Sequence, residues 1–236
     1  LQVNNMFRLK DGTLHLGLWH VVSMERSALW EGGSFVDNGN RFAVGWGNSS
    51  GSWIVNIALN ALAIDKNGTG EFVLQGSSSG SLTVASLVGY NGTIRQEIDV
   101  TANIDLQANG AYTLTSGATL NMSSNSNMLG DMHLRGDPGS LVKINSTSSS
   151  AYRTLTIGSG SNTKLEYAEI EDLDGGLDLS VITSGEVQSL HDITFDNIKN
   201  NGTDSYLILD GLAPARVASG MKVNSLVFLD NLVFNN

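Results

Sequence analysis

Short apolar-x-apolar triplets recur along this chain at nearly constant spacing, and that recurrence restricts the available folds more than any other feature. One series starts at Ile98, Leu120, Val142, Leu165 and Leu190, at intervals of 22, 22, 23 and 25 residues. A second starts at Tyr112, Met132, Leu155, Leu177 and Leu207, at intervals of 20, 23, 22 and 30. The two series interleave, so each repeat carries at least two short strands, separated by Gly, Ser and Asn clusters that read as turns. A longer frame repeats as well. Leu165 to Asp172 aligns with Leu190 to Asn197 and with Leu229 to Asn236, sharing Leu, two mostly polar residues, an aliphatic, and Ile or Phe before an Asp or Asn. A unit of this size cannot bury a core of its own. It becomes stable by stacking on its neighbours as a parallel β-solenoid. Equivalent residues then form ladders, with Leu, Ile, Val and Phe inside and Asp172, Asn197 and Asn236 at a turn, where Asn and Asp tolerate left-handed backbone. An antiparallel sandwich with chance spacing is the competing reading, since sandwich strands also recur every ~10 residues.

Composition agrees with an all-β chain. Charged residues are 15% and apolar residues 41% of 236, too little charge for a solvated disordered chain or a helical bundle. The formal charge of −10 disfavours nucleic acid and anionic membranes as partners. No apolar run is long enough to span a bilayer. Without cysteine there is no disulfide framework and no thiolate metal site. The chain starts at Leu1 and stops on a repeat frame, so a mature form or a piece of a longer polypeptide is expected. Six sequons, at Asn48, Asn67, Asn91, Asn121, Asn145 and Asn201, are what chance supplies in a chain this rich in Asn, Ser and Thr.

The first part of the chain is less regular. All four tryptophans, Trp19, Trp30, Trp46 and Trp53, lie there. Val44-Gly45-Trp46-Gly47-Asn48 resembles Val88-Gly89-Tyr90-Asn91-Gly92 at a separation of 44, two repeats of 22. Residues 1–55 are therefore expected as an irregular, aromatic-rich capping segment covering an exposed strand edge, and 56–236 as the solenoid, in one continuous domain. Ile57 to Ile64 could form a capping turn, a helix or a strand. Protruding loops are expected at Lys199 to Ser205 and Leu212 to Lys222.

Two stretches carry a family resemblance. Gly68 to Gly92 (Gly-Thr-Gly-Glu-Phe-Val-Leu, then Ser-Leu-Thr-Val, then Leu-Val-Gly-Tyr-Asn-Gly) is similar to repeats of bacterial secreted, autotransporter-passenger-like β-helix proteins. Gly117 to Met122, Met132 to Pro138, Leu155 to Ile157 and Leu165 to Ile170 resemble the right-handed parallel β-helix of pectin-lyase-like surface proteins. The resemblance implies a right-handed coil of about 22–25 residues and an extracellular or cell-surface location. It also admits polysaccharide lyases, with a Lys or Arg base and often Ca²⁺, and hydrolases with paired carboxylates.

The residues themselves offer little catalytic chemistry. Glu166, Glu169, Glu171, Asp172, Asp174 and Asp178 form an acidic cluster. Glu171, Asp172 and Asp174, in a turn followed by Gly175 and Gly176, are the candidate ligands for Ca²⁺, the one cofactor considered, against a solvated outer face. His15, His20, His133 and His191 have no zinc spacing. Gly76-Ser77-Ser78-Ser79-Gly80 matches a nucleophile elbow only formally, because a strand follows it where a helix is required. Arg135-Gly136-Asp137 reads as a turn before Pro138. Outward Ser, Thr and Asn suit glycan contact or packing between solenoids. The expected function is a non-catalytic structural or adhesive solenoid of a surface layer, adhesin or filament that associates with itself. The alternative is a polysaccharide-binding or polysaccharide-cleaving β-helix.

Overall fold

A computed structural model describes residues 2–3, 6–15, 21–24, 27–36, 41–44, 50–56, 58–77, 80–147, 152–174, 177–179, 181–196, 207–208 and 226–227. All regular structure among them is β-strand, and every pairing between named strands is parallel. The chain forms a parallel β-solenoid. Among the described residues no helix is long and apolar enough to cross a membrane.

Each turn lays down three strand segments. They are designated faces A, B and C in chain order. The strand Ser81–Gln96 supplies all three, bending at register shifts between Thr83 and Ser86 and between Gly89 and Asn91. The strand Asp99–Thr115 repeats the course directly beneath it. Burial alternates along both, as expected when successive side chains point to opposite faces.

The inward ladders hold the stack together. On face C, Phe7, Ala28, Trp53, Leu74, Gln96, Leu114, Leu134, Leu165 and Leu190 stand in one column. On face A, Leu82, Val100, Leu120, Ile144 and Ile170 do the same, and each is fully or almost fully buried. At roughly 25 cal/mol per Å² of apolar surface, stacking neighbours contributes what no single turn can supply. Trp53 packs edge-on against Phe42 at 5.0 Å, Trp30 at 5.8 Å and Phe72 at 5.9 Å, so the early aromatics form core. Residues 1–55, expected as an irregular cap, contain parallel strands from Gln2 onward that pair with one another, and Arg41–Val44 and Gly51–Val55 pair in turn with strands beyond residue 55. Trp19 and Trp46 lie outside the described residues. Of the stretch Ile57 to Ile64, residues 58–64 lie in the strand Ala58–Lys66, and Ile57 lies outside the described residues.

The aligned frame is real. Leu165 pairs with Leu190, Ala168 with Ile193 and Ile170 with Phe195. The strand that follows Ile193 in this ladder is Leu226–Val227, upstream of where the third aligned copy places it. The triplet series, by contrast, mixes faces. Leu120 pairs with Ile144, two residues past Val142, and Val142 pairs with Ala168. Turn length is not constant. Ser81 and Asp99 are 18 residues apart, whereas Met132 and Thr163 are 31 apart. The two expected loops at 199–205 and 212–222 lie outside the described residues.

Corners demand special backbone. At the corner from face B to C, Gly92 has φ +69°, and a Cβ there would lie 2.6 Å from the Gly68 carbonyl oxygen. At the corner from C to A, a single left-handed residue joins the strands: Tyr167 (φ 49°) in one turn and Asp192 (φ 53°) in the next.

Besides small hydroxyl residues such as Ser126 and Thr163, the long polar side chains of Gln96 and Lys66 stand inside the apolar ladders. Gln96 donates to the carbonyls of Ile98 at 2.7 Å and Thr119 at 2.8 Å and accepts from the Tyr112 hydroxyl. Its hydrogen-bonding capacity is thus met within the core, and burial raises the Tyr112 pKa. Lys66 stacks between Val44 and Gly89, is 0% exposed, and donates to the Gly68 carbonyl. No carboxylate among the described residues pairs with it. Desolvation pushes its pKa from 10.5 down to about 8.

The unfolded chain therefore holds the Lys66 proton across that window, and stability rises with pH between about 8 and 10.5. Lys66→Met is expected to stabilise the fold at pH 7 by on the order of 2 kcal/mol and to flatten that rise. Urea unfolding at pH 7, 8, 9 and 10 reads both effects.

Candidate functional site

The structure divides the predicted acidic cluster: Glu169, Glu171, Asp172 and Asp174 sit where face A leads into the next corner, whereas Glu166 lies on face C and Asp178 on the strand Leu177–Asp178. Glu169 and Glu171 are alternate residues of the strand Asn162–Glu171 and therefore share its outer side. Lys143, which pairs with Glu169 across the ladder, reaches both carboxylates, at 2.9 Å to Glu169 and 3.1 Å to Glu171. Partial burial pushes both carboxyls up. For Glu169 the hydrogen bonds from Lys143 and Glu171 outweigh burial and hold it below its usual value. Glu171, with the Glu169 charge beside it, is raised. The same hydrogen bonds raise the Lys143 pKa.

Asp172 follows in the left-handed region at φ 54°, the conformation expected of a turn-ladder Asp. Asn197 and Asn236 lie outside the described residues, as do Gly175 and Gly176. Asp174 N–H donates to the Arg153 carbonyl at 3.0 Å. Among the described residues no three His, Cys, Asp or Glu side chains converge as a metal site. The structure thus places Glu171 in an ion-pair network on the strand and Asp172 and Asp174 in the turn beyond it.

The other motifs fall on corners. Ser77 N–H donates to Asn56 Oδ1 at 2.9 Å, and the strand Ser81–Gln96 follows where an elbow would need a helix; Ser78 and Ser79 lie outside the described residues. Asp137 and Ser140 close a tight turn with reciprocal backbone hydrogen bonds of 3.0 and 2.9 Å. Arg135 itself lies on face C. His15 is exposed on the strand Thr13–His15.

A second constellation on face C escaped the sequence reading. His133 pairs with Lys164, and Arg135 with Glu166, on adjacent turns. Arg135 Nε stands 3.7 Å from Glu166 Oε2, while Ser189 Oγ lies 2.5 Å from Glu166 Oε1. Burial, with the Lys164 charge beside it, lowers the His133 pKa. The alternating Asp131-Met132-His133-Leu134-Arg135 and Asn162-Thr163-Lys164-Leu165-Glu166 were legible as strands. Their juxtaposition depended on a corner whose length the sequence did not reveal.

Two outcomes test this geometry. Lys143→Met is expected to destabilise the fold at pH 7 by about 1 kcal/mol, since the network is only partly buried. The carboxylate held low, Glu169, contributes stability above its ordinary value of 4.5 and loses it as pH falls through its folded value. The gap between wild type and variant should therefore close toward pH 3 in paired thermal melts. Tyr167→Asn is expected to stabilise by about 1 kcal/mol, because Asn accepts left-handed backbone that costs a tyrosine roughly that much.

No protein-family model, curated protein or solved structure matches the chain.

Proposed function

We propose that this chain is a non-catalytic structural or adhesive solenoid of an extracellular or cell-surface assembly, of the kind its sequence resembles in bacterial β-helix proteins, and that copies associate with one another. The observation that carries this reading is one column on the outer side of face A, beside the Lys143, Glu169 and Glu171 network on the same side. Thr83, Thr101, Asn121 and Asn145 form an uncharged column across successive turns. A chain of formal charge −10 repels its own copies, so contact between them belongs where fixed charge is sparse. Flat rows of Thr and Asn at the ~4.8 Å strand spacing offer paired donors and acceptors for such contact. The absence of cysteine is compatible with secretion as a disulfide-free β fold. Acidic surfaces also make divalent cations natural bridging ions between copies.

Sedimentation velocity and negative-stain electron microscopy, with and without millimolar Ca²⁺, test the proposal. Concentration-dependent oligomers, sheets or filaments are expected, and Ca²⁺ should enlarge them. Thr101→Lys with Asn121→Lys should shift the distribution toward monomer. A monodisperse monomer at high concentration in both conditions would overturn it.

A further inference from the structure

A lysine is almost never fully buried unless a charge pairs with it. Lys66 is 0% exposed, and among the described residues its one partner is the Gly68 carbonyl. An ammonium has three protons to donate, so the closed fold leaves two of them without an acceptor whenever the amine is protonated.

No counter-charge faces it. The inward residues of the elements around it are Phe42 and Val44 from Arg41–Val44, Phe72 and Leu74 from Glu71–Gln75, and Leu87 and Gly89 from Ser81–Gln96. None of these titrates. Asp65, Glu71 and Arg95 alternate onto the outer side.

The two sides of Lys66 are unequal. Toward the C-terminus, Ser81–Gln96 runs in register along the strand from Ala58 to the lysine itself. Packing there is close: a Cβ on Gly89, the residue next to Lys66 in the column, would stand 2.7 Å from Leu106 Cδ1 and 3.2 Å from Ile94 Cδ1. Toward the N-terminus, Arg41–Val44 pairs only with Ala63–Lys66, and no described strand pairs with Ala58–Ala61 on that side. Asn67 N–H donates to the Val44 carbonyl at 3.3 Å. On the same corner further along, the matching bonds are 2.9 Å from Leu129 to Leu106 and 3.0 Å from Gly158 to Met128. The core changes there too. Phe7, Trp30, Phe42 and Trp53 pack ring to ring, and among the described rings only the contact of Trp53 with Phe72, at 5.9 Å, crosses to the turn of Lys66.

The stability of a stack is close to a sum over turns and their interfaces, so a cost placed at one turn opens the interface beside it. Ser50 Oγ accepts from Glu71 N–H at 3.0 Å and Asn56 Oδ1 from Ser77 N–H at 2.9 Å across this interface, which holds it closed when the amine is neutral.

We infer that the rod carries a pH-sensitive seam between Arg41–Val44 and Ala58–Lys66, where the strands up to Val55 lift as one unit from the remaining stack when Lys66 holds its proton. Lifting Val44 gives the ammonium access to water. The open form titrates near the ordinary 10.5 and the closed form near about 8, so closure gains as pH rises from about 8 to 10.5 and loses that gain below it. The seam is independent of self-association, which was placed on the outer side of face A.

Proteinase K digestion of the full chain at pH 7, 8, 9 and 10 tests the inference, each rate being scaled to that of an unstructured peptide at the same pH. Cutting N-terminal to Ala58 is expected to be roughly 50-fold faster at pH 7 than at pH 10. Strands from Ser81 to Asp196 should show no such dependence. In Lys66→Met the rate N-terminal to Ala58 should be slow at every pH. A scaled rate equal at pH 7 and 10 in the wild type would overturn the seam without any variant. So would the same pH dependence for cuts between Ser81 and Asp196, which marks unfolding of the whole stack, or a pH profile that Lys66→Met retains.

Discussion

Every turn of this molecule depends on the turn beside it. Backbone hydrogen bonds run from strand to parallel strand along the stack, and no hairpin between the named strands closes a turn on itself. The inward columns follow from the same constraint. Once Leu114 sits over Leu134 and Leu134 over Leu165, each side chain completes the packing of the one below. Polar residues enter these columns only with their groups provided for, as at Gln96, or at a cost, as at Lys66. The surrounding apolar burial is large enough to carry that one unpaired ammonium.

The architecture could be read from the sequence because a stacked strand must alternate and must recur. The frame at Leu165 and Leu190 was recovered in register because both turns use one left-handed residue, Tyr167 or Asp192, at the same corner. Other assignments drifted because apolar triplets look alike on all three faces. Leu120 and Val142 are spaced as partners but belong to columns two residues out of step. Similarly, Val44 and Val88 are two turns apart, yet Ala43, not Val44, shares the column of Val88. Corner length decides register, and corners of Gly, Ser and Asn carry little pattern from which to count.

The candidate sites were legible to different degrees for the same reason. Glu169 and Glu171 lie on one strand, so their shared side followed from alternation alone. Their partner Lys143 comes from the preceding turn and needed the register. A cleft at the corner from face C to face A gathers Thr115, Arg135 and Glu166 from three turns, and nothing in their linear spacing announces that they share an edge. Lys66 was hidden in an Asp-Lys-Asn-Gly run that reads as a turn. Its burial arises because the strand Ala58–Lys66 continues one residue into the column of Val44.

The direction of the hydrogen bonds has a mechanical consequence. They lie along the axis of the rod, and each turn is held chiefly by its two neighbours. Tension applied at the two ends of the chain would load one terminal turn at a time instead of all turns together. Such a body yields by peeling, in steps of one turn, and each released turn adds slack equal to its own contour length. Turns of 18 and 31 residues would then pay out unequal lengths, so the order of release would be written in the extension. A rod of this design stretches by shedding its ends while its middle keeps its shape.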